Sequence, residues 1–242
     1  MIFNLFKSKP TLKELIPNGF VDIHSHILPG IDDGAKNFEE SIHLIKEMKK
    51  LGFSKIIGTP HTYPGLYENT AESIIKSFNS LNKNKPDEIK ISYASEYMLD
   101  VSLIAKAEDK SILCLKDNFI LVEFGFLDTP PNVFDIIYNL RLNNYVPILA
   151  HPERYLYKSN DLDFFKKIKK HGCYLQLNLF SLTGYYGKEV NKLANKLLKN
   201  NFIDFVGSDI HNKRQIKNFE YNVTVDKISK IEQAINKTLL FN

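Results

Sequence analysis

Short runs of β-branched and aromatic residues recur about every 25 to 35 positions along this chain, and the stretches between them repeat apolar residues at helical spacing, which is the pattern of strand–helix–strand units on a largely parallel sheet. Seven strands are predicted: Phe20–Ile27, Lys55–His61, Ile89–Tyr97, Phe119–Gly125, Val146–His151, Cys173–Leu179 and Phe202–His211. Between the first two, Phe38, Ile42, Ile45 and Met48 fall at steps of three and four, so one helical face is apolar while Glu39, Glu40, Lys46 and Lys50 point elsewhere. Asn37 stands where an N-cap belongs. Further helices are predicted over Ser73–Leu81, Asn132–Leu142, Leu162–His171, Lys188–Leu198 and Lys227–Leu240. Several strands are unbroken apolar runs, as expected when helices cover a parallel sheet on the outside. An irregular seven-stranded β/α barrel is the preferred architecture, with a doubly wound open sheet as the alternative because both give the same alternation.

The chain's 242 residues suit one domain with one sizeable core, preceded by an N-terminal extension, residues 1–18, for which packing or an oligomer contact is the available reading. Hydrophobic residues make up 43% and charged residues 25%, an ordinary globular composition. The formal charge of +4 is spread along the chain with no basic block or reading motif, so nucleic acid is not an expected partner, while anionic substrates are mildly favoured. Two cysteines, Cys114 and Cys173, are too few for a disulfide scaffold and lack zinc-knuckle spacing. Neither is followed by Arg at the spacing a thiol phosphatase needs. With no signal-peptide core and no span of ~20 apolar residues, a cytoplasmic protein is expected.

The candidate chemistry lies where the predicted strands end. Asp22-Ile23-His24-Ser25-His26 closes the first strand, and side chains two apart on a strand point the same way, so His24 and His26 can share a cation. Asp22 has the same parity and is a candidate to orient one of them. The glycine-rich loop beyond offers Asp32 and Asp33, either of which can bind metal. His61, Glu96, Glu123 and His151 then end four successive strands, and Asp209 and His211 share a face on the last. Each alone is unspecific; together, at one mouth of a parallel sheet, they exceed what a single ion can use. Histidine and carboxylate without thiolate suit zinc, manganese or iron(II), and two such ions with a bridging carboxylate, assigned here to Glu123, form a clamp for displacement at phosphorus. Arg154 is the candidate to grip the phosphate. His43, on a helix, and His171, before Gly172, are read as structural.

These blocks carry a resemblance. Asp-Ile-His-Ser-His-Ile-Leu-Pro-Gly-Ile-Asp-Asp-Gly-Ala-Lys, Thr-Pro-His, Ser-Glu-Tyr, Val-Glu-Phe, Ala-His-Pro-Glu-Arg-Tyr and Ser-Asp-Ile-His occur in order between Gly19 and His211, and the chain resembles the CpsB/CapC/YwqE tyrosine-protein phosphatases of the PHP (polymerase and histidinol phosphatase) superfamily. The resemblance implies a distorted seven-stranded β/α barrel and a centre of two or three divalent cations. Manganese comes first as the metal, with iron, zinc and magnesium as alternatives. It also implies hydrolysis of phosphotyrosine on a bacterial tyrosine autokinase that controls capsule or exopolysaccharide synthesis, and it leaves a homo-oligomer open. Carried over by motif, the ligands are His24, His26, Asp33, His61, Glu96, Glu123, His151, Asp209 and His211, with Asp33 preferred to Asp32 because it directly precedes the glycine. Asp209 and Glu123 then take part in catalysis beside Arg154, which binds phosphate; Arg214 is a second substrate contact whose compact surroundings, Asn212-Lys213-Arg214, depart from the family pattern. A small-molecule phosphatase acting on histidinol phosphate, and a metal-bearing regulatory module without turnover, are the rival readings.

Overall fold

The computed structural model describes residues 8–86 and 89–242; the segment Met1–Lys7 of the predicted N-terminal extension lies outside the described residues. The chain opens with α1 (Leu12–Leu15), whose capping box between Thr11 and Glu14 closes a single turn. Alternating elements follow: β1 (Phe20–Ser25), α2 (Phe38–Lys50), β2 (Phe53–Gly58), β3 (His61–Thr62), α3 (Ala71–Asn82), β4 (Lys90–Tyr93), β5 (Glu96–Met98), α4 (Ser102–Glu108) and β6 (Phe119–Glu123). The second half runs α5 (Val133–Leu142), β7 (Val146–Ala150), α6 (Leu162–Lys170), β8 (Tyr174–Asn178), α7 (Lys188–Lys199), β9 (Phe205–Gly207), α8 (Lys213–Ile216) and α9 (Ile228–Thr238). Asn37 caps α2 as predicted, accepting a hydrogen bond from Glu40 N at 3.0 Å.

All strand pairs are parallel, and the strands fall into two sheets, β1-β2-β4 and β3-β5-β6-β7-β8-β9. Where the sequence predicts seven strands in one ring, there are among the described residues nine strand segments and no continuous closed ladder. The extra two arise because two predicted strands are each interrupted by a short break. Pro60, which has no N–H to give to a ladder, separates β2 from β3, and Ala94-Ser95 separates β4 from β5. The predicted last strand, Phe202–His211, shortens to β9 at both ends, and on its C-terminal side Asp209 takes a left-handed backbone with φ of 54°.

Side chains alternate across the sheet. Ile120, Val122, Leu149, Leu175, Leu177 and Val206 join the helices in the larger apolar cluster, while Val21, Ile23, Leu121, Ile148, Ala150 and Phe205 form a smaller one on the other face. Each fully buried Leu, Ile or Val contributes about 1.5–3 kcal/mol relative to exposure, so burial on both faces holds the strand ends in register. Glu123 follows the parity of Leu121, and Gln176 and Asn178 alternate with Leu175 and Leu177, so the polar side chains of these strands leave the helix-covered face.

Residues 9–12 pack against residues 221–226. Leu12 is buried, Leu12 N donates to Tyr221 O at 3.0 Å, and Val223 N donates to Pro10 O at 2.9 Å.

Candidate metal centre

Because all strands run the same way, their C-terminal ends open at one mouth, and most of the ligands predicted from sequence lie at such an end or in the loop that follows, while two begin the short segments β3 and β5. His24 is the last residue but one of β1 and His26 lies just beyond its end; His61 begins β3, Glu96 begins β5, Glu123 ends β6, His151 follows β7, and Asp209 and His211 follow β9. The end of β1 meets the chain after β9 directly: Asp209 N donates to His24 O at 2.7 Å and His26 N to Ile210 O at 2.9 Å.

The tightest group is His24, His26, Glu96 and Asp209, all four buried. From His24 Nε2 the distances are 3.3 Å to His26 Nε2, 3.1 Å to Glu96 Oε2 and 3.3 Å to Asp209 Oδ1; from His26 Nε2 they are 3.4 Å to Glu96 Oε2 and 3.3 Å to Asp209 Oδ1. Four donors about 2.0–2.1 Å from one ion in a tetrahedron stand about 3.3–3.4 Å from each other, so these atoms already have the spacing of a coordination shell.

The tautomers point the same way. His24 Nδ1 lies 2.8 Å from Gln176 Oε1, His26 Nδ1 2.8 Å from Asp32 Oδ2, and His211 Nδ1 2.9 Å from the Asp209 carbonyl. Each partner is an acceptor, so each Nδ1 carries the proton, and the neutral rings turn bare Nε2 lone pairs into the cluster. Lone pairs facing carboxylate oxygens repel unless a cation lies between them. The same demand appears in the titration. Burial would push the His24 imidazole down, but Glu96 and Asp209 outweigh it and raise it to about 9, while Glu96 and Asp209 are held well below the usual carboxylate range despite burial.

A second group joins His61, Glu96 and Glu123: His61 Nδ1 lies 3.2 Å from Glu96 Oε2 and 2.8 Å from Glu123 Oε1. These three atoms are buried and none has a hydrogen-bond partner, a need that a divalent cation among them would meet. Burial and then the neighbouring Glu96 push the Glu123 carboxyl up to about 7. The third group is His26, Asp33, His61 and His211, with Asp33 Oδ1 at 3.5 Å from His61 Nε2 and 3.4 Å from His211 Nε2. The residues present therefore fit divalent cations.

Glu96 is the carboxylate at the junction of the first two groups. Its Oε2 meets His24, His26 and His61, and its Oε1 accepts the approach of His151 Nε2 at 2.9 Å, whereas Glu123 reaches one histidine. Glu96 therefore belongs to two of the groups and Glu123, the carboxylate expected to bridge, to one. His151 adopts a left-handed backbone with φ of 36°, and burial followed by the Arg154 charge lowers its imidazole to about 4. Of six described non-glycine residues with positive φ, His151 and Asp209 stand at the mouth, where the strained backbone places their side chains.

Arg154 reaches the cluster, with Nη1 2.9 Å from Asp209 Oδ2 and its guanidinium carbon 4.7 Å from both the Phe126 and Tyr186 rings. Arg214 lines a 540 Å³ cleft together with Asp33 of the third group, and Lys36, His43 and Lys213 also line it. His171 caps α6, its Nδ1 2.8 Å from Lys167 O.

Asp22 does not orient a ring. Its carboxylate accepts from Ser208 N at 2.9 Å, Ser208 Oγ at 2.5 Å and His24 N at 3.3 Å, fixing the backbone that presents Asp209. The ring-orienting residues are Gln176 and Asp32, and Asn178 Nδ2 donates to Asp209 Oδ2 at 2.8 Å; none of these three roles was read from the sequence. The available signal was parity: Gln176 and Asn178 are two polar residues of one phase in an otherwise apolar strand. Glu153, fully buried, was missed too. It accepts from Asn178 N at 2.9 Å and Ser181 Oγ at 2.7 Å, tying the Arg154 segment to the end of β8.

The family model for capsular polysaccharide synthesis proteins, CpsB/CapC, matches residues 20–241. Tyrosine-protein phosphatase YwqE of Bacillus subtilis is 32% identical over 196 residues, covering 79% of this chain and 77% of the relative. A putative tyrosine-protein phosphatase CapC of Staphylococcus aureus is 31% identical over 195 residues, covering 79% and 76%. Crystal structures of YwqE from Bacillus subtilis and CpsB from Streptococcus pneumoniae, described as metal-dependent tyrosine phosphatases, include a chain that superposes with a TM-score of 0.76 at 30% identity over 81% of each chain. A Lactococcus lactis histidinol phosphate phosphatase shares the fold at 14% identity, with a TM-score of 0.55 over 91% of this chain and 94% of that one.

Proposed function

The chain belongs to the CpsB/CapC family, and from that premise we propose that it is a metal-dependent protein-tyrosine phosphatase whose substrate is a phosphotyrosine protein, a bacterial tyrosine kinase of capsular or exopolysaccharide export. The observation that carries the reading is the convergence of imidazole nitrogens and carboxylate oxygens at ligand spacing beside one guanidinium. His24, His26, Glu96 and Asp209 would hold one cation; His61 and Glu123 with Glu96 a second; Asp33 and His211, with His26 or His61, a third. His151 adds a nitrogen against Glu96. Manganese is the first choice of metal, and the cytoplasm the place of action. Bonds from Asp209 N to His24 O and from His26 N to Ile210 O support reading the two sheets as a distorted barrel drawn together at the mouth.

Bound divalent cations supply Lewis acidity and a water whose pKa falls to about 7. The protein's own groups do the rest. Arg154 spends one of its five donors on Asp209 and keeps the others for phosphate oxygens, where a planar guanidinium matches two at once. Asp209 connects the two functions, with Oδ1 toward the imidazoles and Oδ2 accepting from Arg154 and Asn178. Phosphate monoesters are among the slowest uncatalysed substrates, so fixed charge at the transferring group is what this site must provide.

Phosphate release from a phosphotyrosine peptide, measured with manganese and again with chelator, tests the reading. Turnover that chelation abolishes is expected. No turnover with any divalent ion would leave a regulatory module, and much faster hydrolysis of histidinol phosphate would change the substrate.

A further inference from the structure

Phe126 is an aromatic side chain whose exposure the metal chemistry does not explain. It stands on the loop after β6, 52% exposed, next to Leu127 at 92%. Exposed apolar side chains are usually mobile and scattered, but this loop is pinned: the Tyr157 hydroxyl lies 3.1 Å from Gly125 O and 2.9 Å from Asp128 O. The ring is also placed. It stacks on His151 at 6.0 Å and 23°, and the Arg154 guanidinium carbon sits 4.7 Å from its centroid. An apolar surface is thereby held directly beside the group that would bind phosphate. Tyr186 makes the same 4.7 Å approach to Arg154, but its hydroxyl is engaged by Asn178 Nδ2 at 3.1 Å.

Resting on the phosphatase reading above, we propose that Phe126, with Leu127, is the platform on which the phenyl ring of phosphotyrosine packs while Arg154 holds its phosphate, so that Phe126 selects aryl over alkyl phosphomonoesters. Tyr186, by contrast, positions the guanidinium and is indifferent to what the phosphate is attached to. An aromatic pair together with the area it buries corresponds to about a tenfold preference.

Two readouts test this on the manganese-loaded protein: calorimetric binding of phenylphosphonate against methylphosphonate, neither of which turns over, and kcat/KM on peptides of one sequence carrying phosphotyrosine or phosphoserine. The wild type is expected to favour the aryl member of each pair about tenfold. Phe126→Ala should lose that preference with its manganese content unchanged, and Tyr186→Leu should weaken both members alike. If Phe126→Ala weakens both members equally, or keeps the preference, the platform is overturned even where phosphotyrosine is hydrolysed. If the wild type binds neither phosphonate and cleaves neither peptide, the phosphatase reading fails and takes the platform with it.

Discussion

The residues that hold the ligands still matter as much here as the ligands. Asp32 is a carboxylate that sequence left level with Asp33 until the family pattern preferred the latter; its Oδ2 sits 2.8 Å from His26 Nδ1 and 3.2 Å from His61 N, and its Oδ1 accepts from Gly34 N at 2.9 Å. It fixes the His26 tautomer and ties the loop to β3. Asp32→Asn should therefore cost about 10- to 100-fold in metal affinity, because the amide presents a donor as readily as an acceptor and releases the ring; metal titration with a competing chelator checks this, and wild-type affinity would show the ring is held by packing alone. Arg154→Ala makes the opposite separation. Its metal content should stay at the wild-type level, while kcat falls about 10²- to 10³-fold, as when one oxyanion donor is removed; near-normal turnover would take Arg154 out of the mechanism. Ligand types at strand ends were legible because His and Glu rarely close apolar strands. Asp32, Gln176 and Asn178 were not, because their roles depend on which neighbour the fold brings opposite them, and spacing alone does not contain that.

At the level of elements, helices were legible where an apolar stripe was long, and less so where backbone chemistry intervened. Predicted Leu162–His171 and Lys188–Leu198 match α6 and α7 to within a residue at each end, since their apolar faces pack on the sheet. The short α4 was not anticipated, because seven residues hold too few turns to show a period. Breaks at Pro60 and Ala94-Ser95 were hidden inside apolar runs, yet they set where His61 and Glu96 begin their strands, so the least legible feature of the sheet positions two of the ligands. The loop between β1 and α2 has a similar constraint at Gly34. A Cβ there would lie 2.1 Å from His26 O and 2.4 Å from His26 Cβ, so the backbone of the loop touches the ligand strand and admits no side chain. Gly34→Ala must move either His26 or Asp33, and overpacking of this kind costs about 1–3 kcal/mol, equivalent to a loss of metal affinity of about 5- to 150-fold if the bound arrangement carries the strain. A titration showing unchanged affinity would mean the loop yields away from the centre.

For the whole molecule, the consequence is that the centre couples distant parts of the chain. Its ligands come from β1, the loop after it, β3, β5, β6, the turn after β7 and the segment after β9, so no stretch of the unfolded chain can reproduce it. Buried Glu96, Glu123 and Asp209 stand together with imidazoles whose lone pairs face them, an arrangement that costs stability unless cations or protons compensate it. Ions that bind only the folded state add RT ln(1 + [L]/Kd), about 2.7 kcal/mol at a hundredfold excess over Kd. For a chain of this length that corresponds to a rise in Tm of about 5–10 °C. Thermal unfolding followed with manganese and with chelator should show that difference as the shift of one transition, because strands from both sheets contribute ligands. Two transitions, of which one ignores the metal, would mean that part of the sheet folds independently of the centre. Equal Tm values in metal and chelator would mean that the cluster does not bind cations tightly enough to serve the chemistry proposed for it.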